Sequence, residues 1–274
     1  MVAVGQMNDA PRRRRLRVSN SVTTYRVVAL VLLFALWEIA GASGLFFRGV
    51  IPSTVLIAQA FVRLFGDPAF YTHFGITLFE IVVGFVIGSS LGVVVGLALG
   101  INRYTGEVFE PMLNYLASTP KVVFLPILLI LFGIGVGSKI SLGAISCFFP
   151  MALSVAAGVR TINPMFLRVG QSLNLSFGHR IRNIYIPALL PPIATGLRLG
   201  FGIATVGCLM SEIKLSNHGL GYAAMQAYNR FDIPTMLALL LIIFTLAGLG
   251  NYLIGRFVRL PGPTNRRTTV LPPR

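Results

Sequence analysis

Hydrophobic and polar positions along this chain segregate into long blocks. Six apolar runs stand out, at about 27–47, 75–101, 109–134, 139–160, 187–211 and 234–258. A helix needs roughly 20 apolar residues to cross the hydrocarbon core of a bilayer. The pattern therefore predicts an all-α, polytopic membrane protein with six transmembrane helices. The third run carries Pro111, Pro120 and Pro126, which predict a kink, since prolines at that depth free carbonyls that neighbouring protein or water must satisfy. Lys121 is expected to mark a break in that helix rather than to bind a ligand. Pro52-Ser53 followed by Thr54 to Phe65 reads as a capped helix with Leu56, Ala60 and Leu64 on one face. It is expected to lie along the outer membrane surface.

Residues 161–186 interrupt the blocks. They are too polar to span and too regular for a loose loop. Asn163-Pro164 reads as a helix start, because Asn caps and Pro fits the first turn. Phe166, Val169 or Gly170, Leu173 and Phe177 then fall near one helical face, with Arg168 beside them. A second short helix is expected up to Pro187. Such a pair suits docking to a soluble partner; a surface helix among lipid headgroups is the alternative. The chain thus divides into a basic tail (1–26), a first span with the outer helix (27–74), a core (75–258) containing the loop, and a second tail (259–274).

Composition narrows the function. Only 11% of the 274 residues are charged, against about 25% in a soluble domain. That excludes a disordered chain and argues against a soluble enzyme. A net charge of +15 would suggest nucleic acid in a soluble protein, but here the basic residues flank apolar runs. The bilayer and its anionic lipids account for them, and no nucleic-acid partner is expected. With a cytoplasmic N-terminus, that side collects 16 arginines, from the Arg12–Arg15 cluster to Arg274. The other side keeps five basic residues: Arg48, Arg63, Lys139, Lys214 and Arg230. The excess sets both termini in the cytoplasm. Ala40-Gly41-Ala42 resembles a signal-peptide cleavage site, but the run before it is long and cleavage would leave five spans.

Cys147 and Cys208 lie inside apolar runs and read as small buried hydrophobes, while His73, His179 and His218 are scattered, so no metal site is expected. The chain has no G-x-x-x-x-G-K-[ST] phosphate loop, G-x-S-x-G elbow or H-E-x-x-H helix. It is not expected to be an enzyme or to hydrolyse ATP.

Two further patterns concern the spans. Gly84, Gly88, Gly92, Gly96 and Gly100 recur every four residues, and Gly196, Gly200 and Ala204 repeat the device. Both make grooves for close helix approach, within one subunit or between two. Charged residues inside spans cost about 2.5–3.5 kcal/mol each at the helix centre and are functional candidates. Arg198 is expected near mid-membrane, either lining a pathway for an anion or pairing with Glu80 or backbone carbonyls. Glu80 is expected about two turns from the outer end of the second span. Glu212 is expected at the outer end of the fifth, as a gate, a binding-protein contact or a solvated helix end.

Several segments carry a family resemblance. They are Ser118-Thr119-Pro120-Lys121, Leu131-Phe132-Gly133-Ile134-Gly135, Gly158 to Pro164, Ile184 to Pro191, Thr195 to Leu199, Ser211-Glu212 and Gly219-Leu220-Gly221-Tyr222. On these residues the chain resembles the inner-membrane permease subunits of binding-protein-dependent ABC importers, nearest the nitrate, taurine and aliphatic-sulfonate branch. The resemblance implies a type I ABC importer permease fold in a prokaryotic inner membrane. It also implies a second permease chain, identical or different, an extracytoplasmic substrate-binding protein, and two ATPase subunits that hold ATP and magnesium. No cofactor is expected on this chain. The substrate implied is a small anion. Pro164, Phe166, Arg168, Val169, Gly170, Leu173, Asn174 and Phe177 would form the ATPase-coupling loop, with Arg198, Glu212 and Glu80 on the pathway or its gate. The family's loop signature is Glu-Ala-Ala, three residues, Gly, nine residues, Ile-x-Leu-Pro. Here Arg168-Val169-Gly170 replaces Glu-Ala-Ala and Asn174 replaces Gly. The rival reading, a secondary transporter driven by an ion gradient, predicts an inverted repeat. The hydropathy shows none, and the 161–186 loop would be left unexplained.

Overall fold

Long apolar sequence with few breakers makes long helices, and the chain follows that rule. The computed structural model describes residues 15–44 and 49–257, with side chains over 24–44 and 49–256. Arg12, Arg13, Arg14, Arg48 and the basic residues from Arg259 onward lie outside the described residues. Among the described residues there is no strand. Residues up to 60 form one compact unit and residues from 61 onward another.

In the first unit, α1 (Arg15–Ala42) begins twelve residues before the expected span, since polar residues make helical backbone bonds as readily as apolar ones. α2 (Thr54–Phe65), whose last five residues belong to the second unit, starts where the sequence placed it. Its beginning is tied to α1: Glu38 Oε1 accepts Thr54 N–H at 2.7 Å and Thr54 Oγ1–H at 2.6 Å. Trp37 Nε1 donates to Pro52 O at 3.0 Å.

The centre of the second unit is packed from three of its long helices: α3 (Pro68–Ile101), α6 (Val136–Arg160) and α9 (Ile186–Leu215). Helix α6 is central, with Cys147, Met151, Ala152, Val155 and Ala156 fully buried. Glycines on both flanking helices make this possible. A Cβ at Gly92 would stand 2.7 Å from Met151 Cβ, and one at Gly84 would stand 2.9 Å from Ile140 O. One at Gly100 would meet Val159 Cβ at 2.5 Å, one at Gly96 would meet Ala152 O at 2.5 Å, and Gly88 is as closely apposed to Ala144 O. From the other side, Gly200 faces Cys147 Sγ and Gly196 faces Met151 Sδ. The α3 glycine row therefore packs inside this chain, with α6 as its partner.

The third apolar run differs most from expectation. It is a broken pair rather than one kinked span. Helix α4 (Arg103–Ser118) follows α3 directly, capped by Asn102. A 3₁₀ turn (Lys121–Phe124) then leads to α5 (Leu125–Phe132), and the two axes bend by 94°. Thr119 is extended ahead of Pro120, as sterics require of a residue before proline. Lys121 Nζ takes the carbonyls of Ala117 and Thr119 at 2.7 and 2.5 Å, so its charge serves the negative end of α4. Among the described residues, five helices are long and apolar enough to span, or six if this pair counts as one.

After α6 come α7 (Pro164–Ser172) and α8 (Phe177–Arg180). A π-turn at Ile181–Tyr185 then joins α8 to α9. Helical structure therefore runs continuously from Phe177 to Leu215, and the expected second short helix is instead the stem of the fifth span. The π-turn has a local cause: Pro187 would clash with the carbonyl four residues back, and a widened turn relieves that. Two helices close the unit, α10 (Leu220–Asn229) and α11 (Ile233–Phe257). The reading of apolar runs missed α10, which at ten residues is too short to span.

Candidate functional site

The loop between α6 and α9 is closed by local hydrogen bonds at both ends of α7. Asn163 Oδ1 accepts Met165 N–H at 2.9 Å and Pro164 occupies the first turn. At the other end, Asn174 takes φ 50°, Asn174 N–H bonds Gln171 O at 2.9 Å, and Leu175 N–H bonds Gly170 O at 3.0 Å. That is a Schellman closure with Asn in the position that usually needs Gly. Ser176 then caps α8. Gly170 is buried against Ile184, where a Cβ would come within 2.7 Å of Ile184 Cδ1, so α7 is seated on the stem of α9. Beside Gly170 on the same face of α7, Phe166 is 60% exposed and Leu173 66%. Val169 and Phe177 are exposed as well, and so is Arg168. A cavity of about 340 Å³ lies between this helix and the stem, lined in part by Phe166, Val169, Leu175 and Ile184.

The charged residues of the spans are arranged differently from expectation. Glu212 is fully buried, which corrects its reading as a solvated helix end. Its Oε1 accepts Thr77 Oγ1–H at 2.6 Å and its Oε2 accepts Gly221 N–H at 2.7 Å. Thr77 Oγ1 in turn accepts Leu220 N–H at 2.7 Å, and His73 Nδ1 accepts Gly219 N–H at 3.0 Å. Three consecutive amides, 219 to 221, are thus received by α3 and α9. Gly219 has φ 106°, and the Glu212 carboxylate fills the space a side chain there would need. Glycine is required on both counts.

Glu80 is also fully buried, more than three turns into α3, and its ionic partner is Lys139 Nζ at 3.7 Å. Lys139, expected on the outer side before a span, is instead buried in α6. Neither acid pairs with Arg198. That residue is exposed on α9, and its Nη2 donates to Gly255 O at 3.2 Å. Gly255 lies 22 residues along α11, about 33 Å from its start. Arg198 therefore stands level with the far end of α11.

Sequence reasoning missed Thr77, Lys139, His73 and the three amides. A lysine in an apolar run and a Gly-x-Gly directly after a span were the available signals. Among the described residues no three His, Cys, Asp or Glu come together as metal ligands.

Residues 88–263 match the family described as "binding-protein-dependent transport system inner membrane component". The chain is 30% identical to a protein of Bacillus subtilis named as an aliphatic sulfonates transport permease, SsuC, over 84% of this chain and 82% of that one. It is 29% identical to the taurine transport system permease protein TauC of Escherichia coli, over 88% and 90%. Among solved structures, an inward-facing MetNI methionine ABC transporter superposes with a TM-score of 0.57 at 18% identity, covering 66% of this chain and 93% of that one. That likeness shows the fold.

Proposed function

The chain belongs to the binding-protein-dependent inner-membrane transport family, and from that membership we propose that it forms the substrate pathway of an ATP-driven importer for a small anion. The sulfonate and taurine permeases among its relatives support the substrate class. Two permease chains would enclose the path, with two ATPase subunits beneath holding ATP and magnesium and a soluble binding protein outside. Both termini would face the cytoplasm. Nucleotide-driven closure of the ATPases would move the loops together and reopen the path outward, a rigid-body switch.

The observation that carries this reading is the face of α7. An apolar row at Phe166, Val169 and Leu173 stands exposed on a helix that is capped at both ends and seated on the long stem of α9. A surface of that kind suits a partner's groove, and the stem gives it a direct mechanical link to a span. Arg168 beside the row would meet an acidic group in that groove. Arg198, exposed and already oriented by Gly255 O, would offer a cation to the anion.

Phe166→Asp tests the reading. It should detach the ATPase subunits on purification, or abolish substrate-stimulated ATP hydrolysis, while the permease level stays near wild type. A variant that keeps both association and transport would remove α7 as the coupling element.

A further inference from the structure

Helix α4 and Lys121 present a polar line through an apolar region. Glu107, Glu110, Asn114 and Ser118 recur at three and four residues and so share one face of α4. Asn114 and Ser118 are exposed on it. Val108, Met112 and Leu116 occupy a different exposed face, which suits lipid tails. Contacts with α6 fix the depth of the polar line. One end is tied to the last residue of α6 by the ion pair of Glu110 with Arg160. The other end is Lys121, whose Nζ stands 5.2 Å from the centre of the buried Phe149 ring. Phe149 is eleven residues short of Arg160, about 16 Å along the helix. A hydrocarbon core is roughly 30 Å thick, so Lys121 stands at mid-depth.

The surroundings of this ammonium leave it incomplete. Ala117 O and Thr119 O take two of its three N–H groups. Among the described residues no carboxylate lies within ion-pair distance of it, and its side chain is only half-buried. A part-exposed ammonium does not rest against lipid tails. Broken backbone at that depth, as at Thr119 and Pro120, is tolerated only inside protein or beside water. The exposure of Lys121 selects water.

We propose that the Asn114–Ser118 face of α4 lines the substrate path and that Lys121 is its anion-binding cation at mid-depth. This site rests on the reading of the chain as the pathway of an importer and adds a residue to it. The ammonium keeps its two carbonyls and gives its remaining N–H to a sulfonate or another small oxyanion. The carbonyls and the Phe149 ring hold the charge in place before the anion arrives. They also neutralise it in part, which keeps the contact weak enough for release.

Thiol labelling of the full complex in lipid nanodiscs tests the site. Cys147 and Cys208 are fully buried, so the wild-type chain is the blank. Ser118→Cys should react with 2-sulfonatoethyl methanethiosulfonate, a small sulfonate, faster than with the trimethylammonium reagent of similar size. Adding Lys121→Gln, whose amide can still donate to a carbonyl, should reduce that preference on the order of tenfold, as loss of a nearby unit charge requires. Lys121→Arg should preserve it. A Ser118→Cys chain that resists both reagents would overturn the proposal, because that face would not meet water. So would a preference that is absent or is unchanged by Lys121→Gln, which would leave Lys121 as a cap on α4. Neither ATP nor the binding protein enters the measurement, so its outcome is separate from the coupling that Phe166→Asp tests.

Discussion

Thr77 and Glu212, 135 residues apart in the chain, meet in a fully buried hydrogen bond of 2.6 Å. The same threonine oxygen receives Leu220 N–H at 2.7 Å, so one hydroxyl joins α3 to α9 and to the start of α10. Each side of that junction would be a buried unpaired polar group without the others.

Thr77→Val keeps the shape of the side chain and removes its hydroxyl. Leaving the Leu220 amide and a Glu212 oxygen short of partners should cost about 2–6 kcal/mol, at about 1–3 kcal/mol for each unsatisfied group. Thr77→Ser should recover most of it. Thermal unfolding of the purified protein in detergent, comparing the two variants, is the measurement.

At Gly92 even alanine should be costly, because its Cβ would press on Met151 Cβ at 2.7 Å and Phe148 O at 2.9 Å. Overpacking of this kind costs about 1–3 kcal/mol. Gly75→Ala on the same helix, with nothing within 4 Å, should be neutral or slightly stabilising. If both variants yield the same amount of folded protein, the close approach of α3 and α6 is not a constraint.

Asn174 at φ 50° sets the turn between α7 and α8. Asn174→Gly should be tolerated and Asn174→Val should cost about 1–2 kcal/mol for a left-handed residue, confined to the loop. Limited proteolysis would detect it as faster cutting between residues 170 and 180 with the melting temperature of the spans unchanged.

Arg198→Ala should lower uptake of the anion several-fold in proteoliposomes while the assembled complex forms in normal amounts. The side chain is exposed and makes one hydrogen bond, to Gly255 O, worth about 1 kcal/mol or less to folding. A collapse in yield with normal uptake per molecule would assign Arg198 to holding α9 against α11 instead.

The composition and period of the chain by themselves determined that it is helical and membrane-spanning, and where most helices lie. A run of twenty apolar residues has one physical outcome in a bilayer, and caps such as Asn163 and Ser53 act over three or four residues. Asn174 was legible for the same reason, since an Asn in place of Gly at a helix end is a local backbone matter. Depth and partnership were not local. The partner of Arg198 depends on how α9 packs against α11, which brings its guanidinium to Gly255 O. Lys139 and Glu212 looked like residues near water because each stands near the end of its own helix. Only the packing of the helices showed that Lys139 is the ionic partner of Glu80 and that α10 presents the Gly221 amide to Glu212. A sequence carries the cost of burying a charge, but the groups that compensate it come from other helices, and their arrangement exists only once those helices have packed.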